Sequence, residues 1–347
     1  MSSVHMKPLG RNGPLVSRIG FGTMGLGIAR TAEPIPDEQR LALLDRAHEL
    51  GCTFWDSSDF YGDTESLIGK WCTKRGKRSD IFIATKFGAT YQPQPDGSTG
   101  FTFRGDAAYV PIACEASLKR LGVDYIDLYY PHRVDGSTPI EHIVQEMVKL
   151  KEAGKIHHLG LSEVSATTLR RAHAVHPIAC VQMEYSLFST EIEHPQTQLL
   201  ATCRELGVAV VAYCPLSRGL LTGSIQSPDD FAPGDQRVMY PRYSRENFPK
   251  NNALVGAIKG LAEKRGNGVT VGQVALAWLL EQGDDIFPIP GTIQQKYLEE
   301  NWGALEVDLT AEEAQEIRRL VEEASVFGHR YPVEYQLAMF ADTPALE

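Results

Sequence analysis

The chain has 347 residues, of which 43% are hydrophobic and 22% charged, a balance typical of a globular protein with a large core. Its 34 basic and 44 acidic residues give a formal net charge of -10, which argues against a surface that tracks the phosphates of nucleic acid. No apolar run approaches the roughly 20 residues that cross a bilayer, and the N-terminus lacks the pattern of a secretory signal, so we expect a cytoplasmic protein without a membrane partner.

The first predicted element is a β-hairpin. The segment from Met6 to Pro14 contains Gly10 and an Asn12-Gly13 pair, and Asn-Gly is a strong signal for a tight turn. We therefore place a hairpin ahead of the main fold.

A glycine motif follows the first predicted strand. Gly20-Phe21-Gly22-Thr23-Met24-Gly25 matches the G-x-G-x-x-G dinucleotide fingerprint. In a Rossmann fold this turn opens directly into a helix whose N-terminus receives the pyrophosphate. Here Pro34 and Pro36 intervene, and the first helical pattern begins only near Asp37. The favoured interpretation is a glycine-rich strand end at the mouth of a barrel.

Short apolar runs of β type alternate with amphipathic helical stretches along the rest of the chain. The candidate strands are Arg18 to Thr23, Thr53 to Ser57, Ile81 to Lys86, Tyr125 to His132, His158 to Ser162, Cys180 to Tyr185, Ala209 to Tyr213 and Ile286 to Ile289. Helix-start sequences stand at Thr138-Pro139-Ile140-Glu141, which reads as a capping box, at Thr270-Val271-Gly272-Gln273 and at Thr310-Ala311-Glu312-Glu313. This alternation predicts an α/β fold, a single closed (β/α)8 TIM barrel, with a doubly wound open sheet as the alternative.

The six cysteines show no pairing pattern. They are spread along the chain at Cys52, Cys72, Cys114, Cys180, Cys203 and Cys214, so we expect reduced, mostly buried thiols. Two histidine pairs, His157-His158 and His173-x-x-His176, lack a carboxylate or cysteine at ligand spacing. We therefore expect no metal site.

Four titratable side chains lie at or just after the C-terminal ends of predicted strands, where barrel enzymes place their active sites. They are Asp56, Tyr61 five residues later, Lys86 and His132. Each has an ordinary explanation alone, as a turn cap, a loop residue or a satisfied core residue. Lys86 is the hardest to explain in this way, because an ammonium at the end of a buried strand needs a partner.

Together these four side chains predict an acid-base site. Asp56 is the expected counter-ion of Lys86, and the Lys86 cation is expected to lower the pKa of Tyr61 below its usual value of about 10. Tyr61 would then act as a general acid near neutral pH, while His132 orients or polarises the oxygen of a substrate.

The same residues lie within longer motifs. From about Met6 to Glu323 the sequence resembles the aldo-keto reductase superfamily, and within it the branch of fungal, bacterial and plant reductases that includes pyridoxal reductase and perakine reductase. The resemblance rests on Trp55-Asp56-Ser57-Ser58-Asp59-Phe60-Tyr61-Gly62, Ala84-Thr85-Lys86, Tyr130-Pro131-His132, Gly160-Leu161-Ser162, Gln182, Tyr213-Cys214-Pro215-Leu216-Ser217-Arg218-Gly219 and Ile289-Pro290-Gly291-Thr292. We expect one barrel domain over residues 1–347, with a core at about 6–323 and a C-terminal extension at 324–347 that adds helices.

The resemblance implies a reductase that transfers a hydride directly from NADPH to an aldehyde or ketone, a small-molecule carbonyl substrate, without a metal. Asp56, Tyr61, Lys86 and His132 match the catalytic tetrad of the superfamily, with Tyr61 as the proton donor. The residues implied in cofactor binding are Gly22, Thr23, Met24, Asp56, Ser162, Gln182, Tyr213, Pro215, Leu216, Ser217, Gly219, Leu221, Gly291, Thr292, Lys296 and Asn301.

Within that set the resemblance implies a division of contacts. Ser162 and Gln182 would hold the carboxamide, and Tyr213 would stack on the nicotinamide ring. Leu216, Ser217 and Gly219 would line the pyrophosphate, while Gly291, Thr292 and Asn301 would hold the adenosine end.

Two positions depart from the superfamily pattern. Many relatives have Asn where this chain has Glu163, so that contact must be remade or lost. Many NADPH users have Lys or Arg directly after the Gly-Thr pair, but this chain has Ile293-Gln294-Gln295. Lys296 is the nearest cation that could meet the 2′-phosphate, and NADH is the expected weaker alternative.

Two other functions stay open at this point. Lys86 could be the Schiff-base nucleophile of a barrel aldolase. The chain could also be a regulatory protein that binds NADPH and turns over negligibly. The sequence names neither the substrate nor an oligomeric state.

Three segments outside the motifs bear on the mouth of the barrel. The long loops at about 89–106 and 224–250 are rich in aromatic residues and are expected to form substrate walls. The segment from Val326 to Glu347 holds Tyr331 and Tyr335, and it is expected either to fold back over the barrel or to contact a second subunit.

Overall fold

The computed structural model of the protein describes residues 5–28, 35–93 and 99–346. The strands are β1 (Met6–Pro8), β2 (Leu15–Ser17), β3 (Phe21–Gly22), β4 (Phe54–Asp56), β5 (Phe82–Phe87), β6 (Ala89–Pro93), β7 (Thr99–Phe103), β8 (Ile126–Pro131), β9 (Ile156–Ser162), β10 (Cys180–Glu184), β11 (Ala209–Tyr213) and β12 (Ile286–Pro288). The α-helices are α1 (Met24–Gly27), α2 (Asp37–Leu50), α3 (Thr64–Arg75), α4 (Tyr109–Leu121), α5 (Ile140–Glu152), α6 (Ala166–Val175), α7 (Leu199–Leu206), α8 (Phe248–Arg265), α9 (Val271–Glu281), α10 (Gln295–Trp302) and α11 (Ala311–Glu323).

Eight parallel strands form the predicted barrel. They are hydrogen-bonded in the order β3, β4, β5, β8, β9, β10, β11 and β12, so each strand lies beside the next one along the chain. Backbone bonds join the two ends of this order, because Gly20 N donates to Pro288 O at 2.9 Å and Gly22 N to Pro290 O at 3.3 Å. The sheet therefore closes on itself, which confirms the (β/α)8 barrel and leaves no free edge.

The predicted N-terminal hairpin is confirmed. Strands β1 and β2 pair antiparallel, with Met6 opposite Ser17. In the turn, Asn12 has a φ of 59°, a left-handed conformation that Asn tolerates better than most residues. Leu9 and Val16 are fully buried and join a core cluster with barrel strand residues such as Phe54 and Phe287. The hairpin therefore supplies part of the apolar packing inside the barrel.

The start of the barrel differs from the prediction. The first barrel strand covers only Phe21–Gly22, and the short helix α1 follows it directly, so the prediction that the first helix begins near Asp37 is wrong. Helix α1 has four residues and ends at Gly27, which packs against the backbone of Tyr61 where any larger residue would collide. The glycine motif thus leads into one helical turn only.

Helices begin at all three predicted sites, since α5, α9 and α11 start at Ile140, Val271 and Ala311. Thr270 and Thr310 form capping boxes with Gln273 and Glu313. At α5 the predicted capping box is wrong, because the N-cap is Pro139 and the side chain of Thr138 donates to Asp135 instead.

The C-terminal segment folds back over the barrel, one of the two arrangements we expected. Ala341 forms a parallel bridge with Val164, beyond the end of β9. Further along, the Arg171 guanidinium donates to the carbonyl oxygens of Thr343 and Pro344. The segment adds one 3-10 helix, Val333–Ala338, after α11.

Other features of the described residues complete the fold. The loop predicted at 89–106 contains the antiparallel strand pair β6 and β7, and the one predicted at 224–250 contains three short 3-10 turns. All six cysteines are reduced thiols, buried except for the half-buried Cys214. No helix within residues 5–28, 35–93 and 99–346 is long and apolar enough to span a bilayer. The division of the chain into one domain remains a prediction.

The close approach of α1 to the Tyr61 loop generates a stability prediction. A Cβ added at Gly27 would lie 1.9 Å from the backbone oxygen of Tyr61, so Gly27→Ala should lower the free energy of unfolding by about 1–3 kcal/mol. Gly256→Ala is the control. Gly256 is exposed on α8, and a Cβ added there meets nothing within 4 Å, so this substitution should raise the free energy of unfolding by about 0.5–1 kcal/mol. Urea unfolding measures both, and a Gly27→Ala variant as stable as the wild type would contradict the contact.

Candidate active site

A buried ion pair lies at the C-terminal ends of β4 and β5. The Lys86 ammonium is inaccessible to solvent and pairs with one oxygen of Asp56. It also donates to the backbone oxygen of Ser57 at 2.7 Å. The other oxygen of Asp56 accepts a 2.8 Å hydrogen bond from Gln182 Nε2 on β10. The pair therefore links three strand ends across the mouth of the barrel.

Tyr61 and His132 lie beside this ion pair. The Lys86 nitrogen is 5.1 Å from the centre of the Tyr61 ring. The rings of Tyr61 and His132 are 5.7 Å apart at their centres and nearly perpendicular, with an angle of 85°. The four residues predicted as an acid-base site thus lie close together.

The pKa of Tyr61 moves in the direction opposite to our prediction. Burial raises the pKa of the Tyr61 phenol above its ordinary value, the Asp56 carboxylate adds to the rise, and Arg133 opposes it. The prediction that Lys86 lowers this pKa is wrong for this structure, since the Lys86 charge is paired with Asp56. The neutral phenol is therefore the resident form at neutral pH.

His132 is also neutral. Burial holds the pKa of its imidazole well below its usual range, and the cations Lys86 and Arg133 add to this effect. Its Nδ1 lies 3.0 Å from the hydroxyl oxygen of Ser58. Because a neutral imidazole carries one proton, the partner at Nδ1 decides which nitrogen holds it.

Arg133 belongs to the site although sequence reasoning missed it. Its guanidinium donates to Ser162 Oγ at 3.0 Å and to Tyr213 Oη at 3.4 Å. It thereby connects the end of β8 with the ends of β9 and β11. The sequence signal that could have identified Arg133 is its position directly after His132, at a strand end where polar side chains face the mouth.

The residues predicted to contact the nicotinamide lie on three neighbouring strands. Ser162 and Gln182 are paired in register at the ends of β9 and β10, and both are buried. Tyr213 ends β11 and is half-buried. The structure places these three side chains at one side of the mouth.

The loop after β11 contains the residues predicted to line a pyrophosphate. Cys214, Ser217 and Arg218 have φ values of 49°, 45° and 50°, a left-handed backbone that costs free energy in non-glycine residues. Gly219 follows with a φ of 100°. Of the other predicted residues here, Pro215, Ser217 and Leu221 are buried and Leu216 is half-buried.

Two predicted glycines have a packing role. A Cβ at Gly22 would lie 2.8 Å from the Ile289 oxygen, and one at Gly291 would lie 2.6 Å from the Gly22 oxygen. The first and last strand ends therefore touch backbone to backbone where the barrel closes. Thr23 beside them donates from both N and Oγ1 to Asp56 O at 2.9 Å, and Met24 is exposed.

The residues predicted for the adenosine end lie on α10 and just before it. Thr292 Oγ1 accepts from Gln294 N at 3.1 Å just before the helix begins. Lys296 is exposed on its first turn, with the ammonium 4.6 Å from the centre of the Tyr297 ring, and Asn301 is buried.

The departure at Glu163 is explained by the C-terminal segment. Glu163 is fully buried with a φ of 53°, and it accepts a 2.8 Å hydrogen bond from the Tyr213 hydroxyl. Both of its oxygens lie 3.4 Å from the guanidinium of Arg330. Burial alone would raise the pKa of Glu163, but Arg330 and Arg133 outweigh it and hold the pKa below its usual range. Glu163 therefore pairs with the C-terminal segment through Arg330.

No group of three or more His, Cys, Asp or Glu side chains arranged to hold a metal ion occurs within the described residues.

Comparisons with known proteins agree with this geometry. A family model described as the aldo/keto reductase family matches residues 18–322. The chain is 52% identical over 338 residues to aldo-keto reductase str7 of Strobilurus tenacellus, with 96% of each chain covered. It is 51% identical over 334 residues to aldo-keto reductase yakc [NADP(+)] of Schizosaccharomyces pombe, covering 95% of this chain and 96% of the relative.

Solved structures share the fold. The glycerol dehydrogenase of Gluconobacter oxydans superposes with a TM-score of 0.81 at 27% identity, covering 96% of this chain and 98% of the other. An aldo-keto reductase from Bacillus halodurans in its holo form gives a TM-score of 0.72 at 26% identity, covering 94% of this chain and 99% of the other.

The buried Glu163–Arg330 pair generates a second stability prediction. Arg330→Met should lower the free energy of unfolding by about 3 kcal/mol or more, because it leaves the Glu163 carboxylate buried without that cation. The double variant Glu163→Gln/Arg330→Met should recover part of this loss. As a control, Arg319→Met removes a guanidinium from exposed pairs with Glu316 and Glu323 and should cost less than about 1 kcal/mol. Urea unfolding gives all three values, and equal losses at Arg319 and Arg330 would contradict the pairing.

Proposed function

Since the chain belongs to the aldo/keto reductase family, we propose that it is an NADPH-dependent oxidoreductase that reduces an aldehyde or ketone to the alcohol. The observation that carries this proposal is the convergence of the Lys86–Asp56 pair, the Tyr61 phenol and the neutral His132 imidazole at one mouth of the barrel. One relative carries NADP(+) in its name, which favours that cofactor.

The side chains at the mouth fit a nicotinamide cofactor. Ser162 and Gln182 offer a hydroxyl and an amide at adjacent strand ends, which suits a carboxamide, and Tyr213 beside them offers an aromatic face. The left-handed backbone at Ser217 and Arg218 is held in place by the Tyr243 hydroxyl, which donates to Ser217 O. Backbone outliers of this kind cluster at ligand sites, and this one lies where the pyrophosphate is expected.

Contacts with the cofactor follow from these positions. Gly22, Thr23 and Met24 at the end of β3 and residues 215–221 would border its phosphates. Thr292, Lys296 and Asn301 on and before α10 would hold the adenosine end, with Lys296 at the 2′-phosphate. When bound, the cofactor supplies the hydride.

Tyr61 supplies the proton in this proposal. The raised pKa keeps the phenol protonated at neutral pH, and hydride transfer makes the substrate oxygen basic enough to take the proton from Oη. The phenolate that remains lies beside the Lys86–Asp56 pair, and the nearby Arg133 guanidinium is the cation that favours the ionised phenol. His132 donates to or orients the carbonyl oxygen from the other side.

The aldolase alternative fits the geometry less well. A Schiff-base lysine must be neutral and accessible to attack a carbonyl. Lys86 is fully buried and its nitrogen is hydrogen-bonded to Asp56 and Ser57, so it is not accessible to a substrate carbonyl.

Removing the Tyr61 hydroxyl tests the proton donor. Tyr61→Phe should lower kcat/KM for reduction by about 100-fold or more while the Kd for NADPH stays the same, because only the transferable proton is lost. Tyr125→Phe is the matched control, since Tyr125 lies before β8 and stacks on His157, far along the strand from the mouth. NADPH oxidation at about 340 nm and fluorescence titration measure the two quantities. A parallel loss of cofactor binding would mean that Tyr61 is structural.

Removing the Lys296 ammonium tests the cofactor preference. Lys296→Ala should weaken NADPH binding about tenfold and leave NADH binding unchanged, because only NADPH carries the 2′-phosphate. Lys259→Ala, on the exposed face of α8, should change neither constant. An unaltered ratio of the two Kd values would remove Lys296 from the site.

A further inference from the structure

A chain of hydrogen-bonding groups runs from His132 away from the mouth of the barrel. His132 Nδ1 lies 3.0 Å from Ser58 Oγ, and Ser58 Oγ lies 3.3 Å from Asp59 Oδ1. Ser58 is fully buried, and its oxygen also accepts a 3.1 Å hydrogen bond from Phe60 N. Asp59 is held in turn, because its Oδ2 accepts from Gly88 N at 3.3 Å and its own N donates to Lys86 O at 3.0 Å.

We propose that Asp59, acting through the Ser58 hydroxyl, sets which ring nitrogen of His132 carries the proton, and that it is therefore a positioning residue for the substrate oxygen. The inference rests on the proposed function, since it concerns the same site.

The count of donors and acceptors at Ser58 allows two complete arrangements. A hydroxyl has one proton to donate and accepts two hydrogen bonds, one of which comes from Phe60 N. When Asp59 is a carboxylate, the hydroxyl donates to it in a charge-assisted bond and accepts the proton of His132 Nδ1. When Asp59 is protonated, its carboxylic acid donates to Ser58, and the hydroxyl donates to His132 Nδ1.

These arrangements give His132 different tautomers. In the first, Nε2 has a lone pair and can only accept a hydrogen bond. In the second, Nε2 carries the proton and can donate to a carbonyl oxygen. No covalent bond other than those to exchangeable protons changes, and the added proton on Asp59 comes from solvent.

The surroundings of Asp59 place this change near neutral pH. Burial raises the pKa of Asp59 to about 7, the Glu65 carboxylate on α3 adds to the rise, and Gly88 N–H, Arg120 on α4 and the Ser58 hydroxyl oppose it. The Asp59 charge also shifts the pKa values of Tyr61, Lys86 on β5, Tyr109 on α4 and Tyr129 on β8. His132 stays neutral over this range, so its tautomer changes and its charge does not.

The sign of the pH effect follows. Below about pH 7, His132 Nε2 carries a proton and can donate a hydrogen bond to a carbonyl oxygen, which supports reduction. Above about pH 7, Nε2 can only accept a hydrogen bond from an alcohol, which supports oxidation. The pKa of Tyr61 is raised, so the phenol adds no step in this range.

Rates across pH test the relay. Wild-type kcat/KM for reduction should fall on the order of tenfold between about pH 6 and about pH 8, less than for full loss of an oxyanion donor because Tyr61 still donates. Asp59→Asn should abolish this pH-dependent step in kcat/KM, because the Asn amide donates a hydrogen bond to Ser58 at every pH. Ser58→Ala should abolish it too, with no further change in the double variant.

The control is Asp63→Asn, a carboxylate of the same loop that pairs with Arg40 and has no bond to Ser58. It should keep the step. A step that survives in Asp59→Asn or in Ser58→Ala would overturn the proposal.

The tautomer itself is observable without turnover. The ¹⁵N chemical shifts of His132 in the NADP+ complex of the full-length protein should show a proton on Nε2 at low pH and on Nδ1 at high pH in the wild type, and on Nε2 throughout in Asp59→Asn. A single tautomer in the wild type across this range would refute the relay. If no carbonyl is reduced but the shifts change as stated, the proposed function fails and the relay stands.

Discussion

The ion pair between Lys86 and Asp56 is the constraint on which the site depends. An ammonium with no solvent exposure is stable only where its charge is matched and its hydrogen bonds are made. The barrel meets this requirement by bringing the ends of β4, β5 and β10 together, so that Asp56 receives Lys86 on one oxygen and Gln182 on the other. The pair is fixed in place by the closed sheet, and Tyr61 and His132 are positioned around it.

Burial shifts the pKa values of the ionisable groups at the mouth and so sets their protonation states. It keeps the Tyr61 phenol protonated and the His132 imidazole neutral. A second ionic contact, between Glu163 and Arg330, fixes the Tyr213 hydroxyl and joins the C-terminal segment to the barrel. Tyr61 and Tyr213 therefore each lie beside a buried ion pair at the mouth of the barrel.

Much of the fold was predictable because it is encoded locally. Alternating strand and helix patterns, the Asn12-Gly13 turn and the capping boxes at Thr270 and Thr310 each involve neighbours in sequence. The convergence of the four acid-base residues was predictable as well, because strand ends of a parallel barrel must meet.

What the sequence did not reveal depends on distant contacts. The pairing of Glu163 with Arg330 joins residues 167 positions apart, and no local pattern signals it. The close approach of Gly27 in α1 to Tyr61 is also a distant contact, and the side chain of Thr138 donates to Asp135 and does not cap α5. The pKa of Tyr61 was predicted in the wrong direction. The sequence suggests that Lys86 lies nearby, but it does not show how completely Asp56 neutralises the Lys86 charge or how strongly burial desolvates the phenol.

The most direct test of the proposed reduction is to trace the hydride from NADPH to the alcohol. NADPH labelled with deuterium at each face of C4 in turn is incubated with a panel of aromatic, aliphatic and pyridoxal-type aldehydes, and the alcohols are analysed by mass spectrometry and NMR. We expect one of the two labelled forms to deliver its deuterium to the former carbonyl carbon, and no deuterium to enter this position from heavy water. Tight cofactor binding with no labelled alcohol from any aldehyde would contradict the account and favour a protein that binds NADPH without reducing a carbonyl.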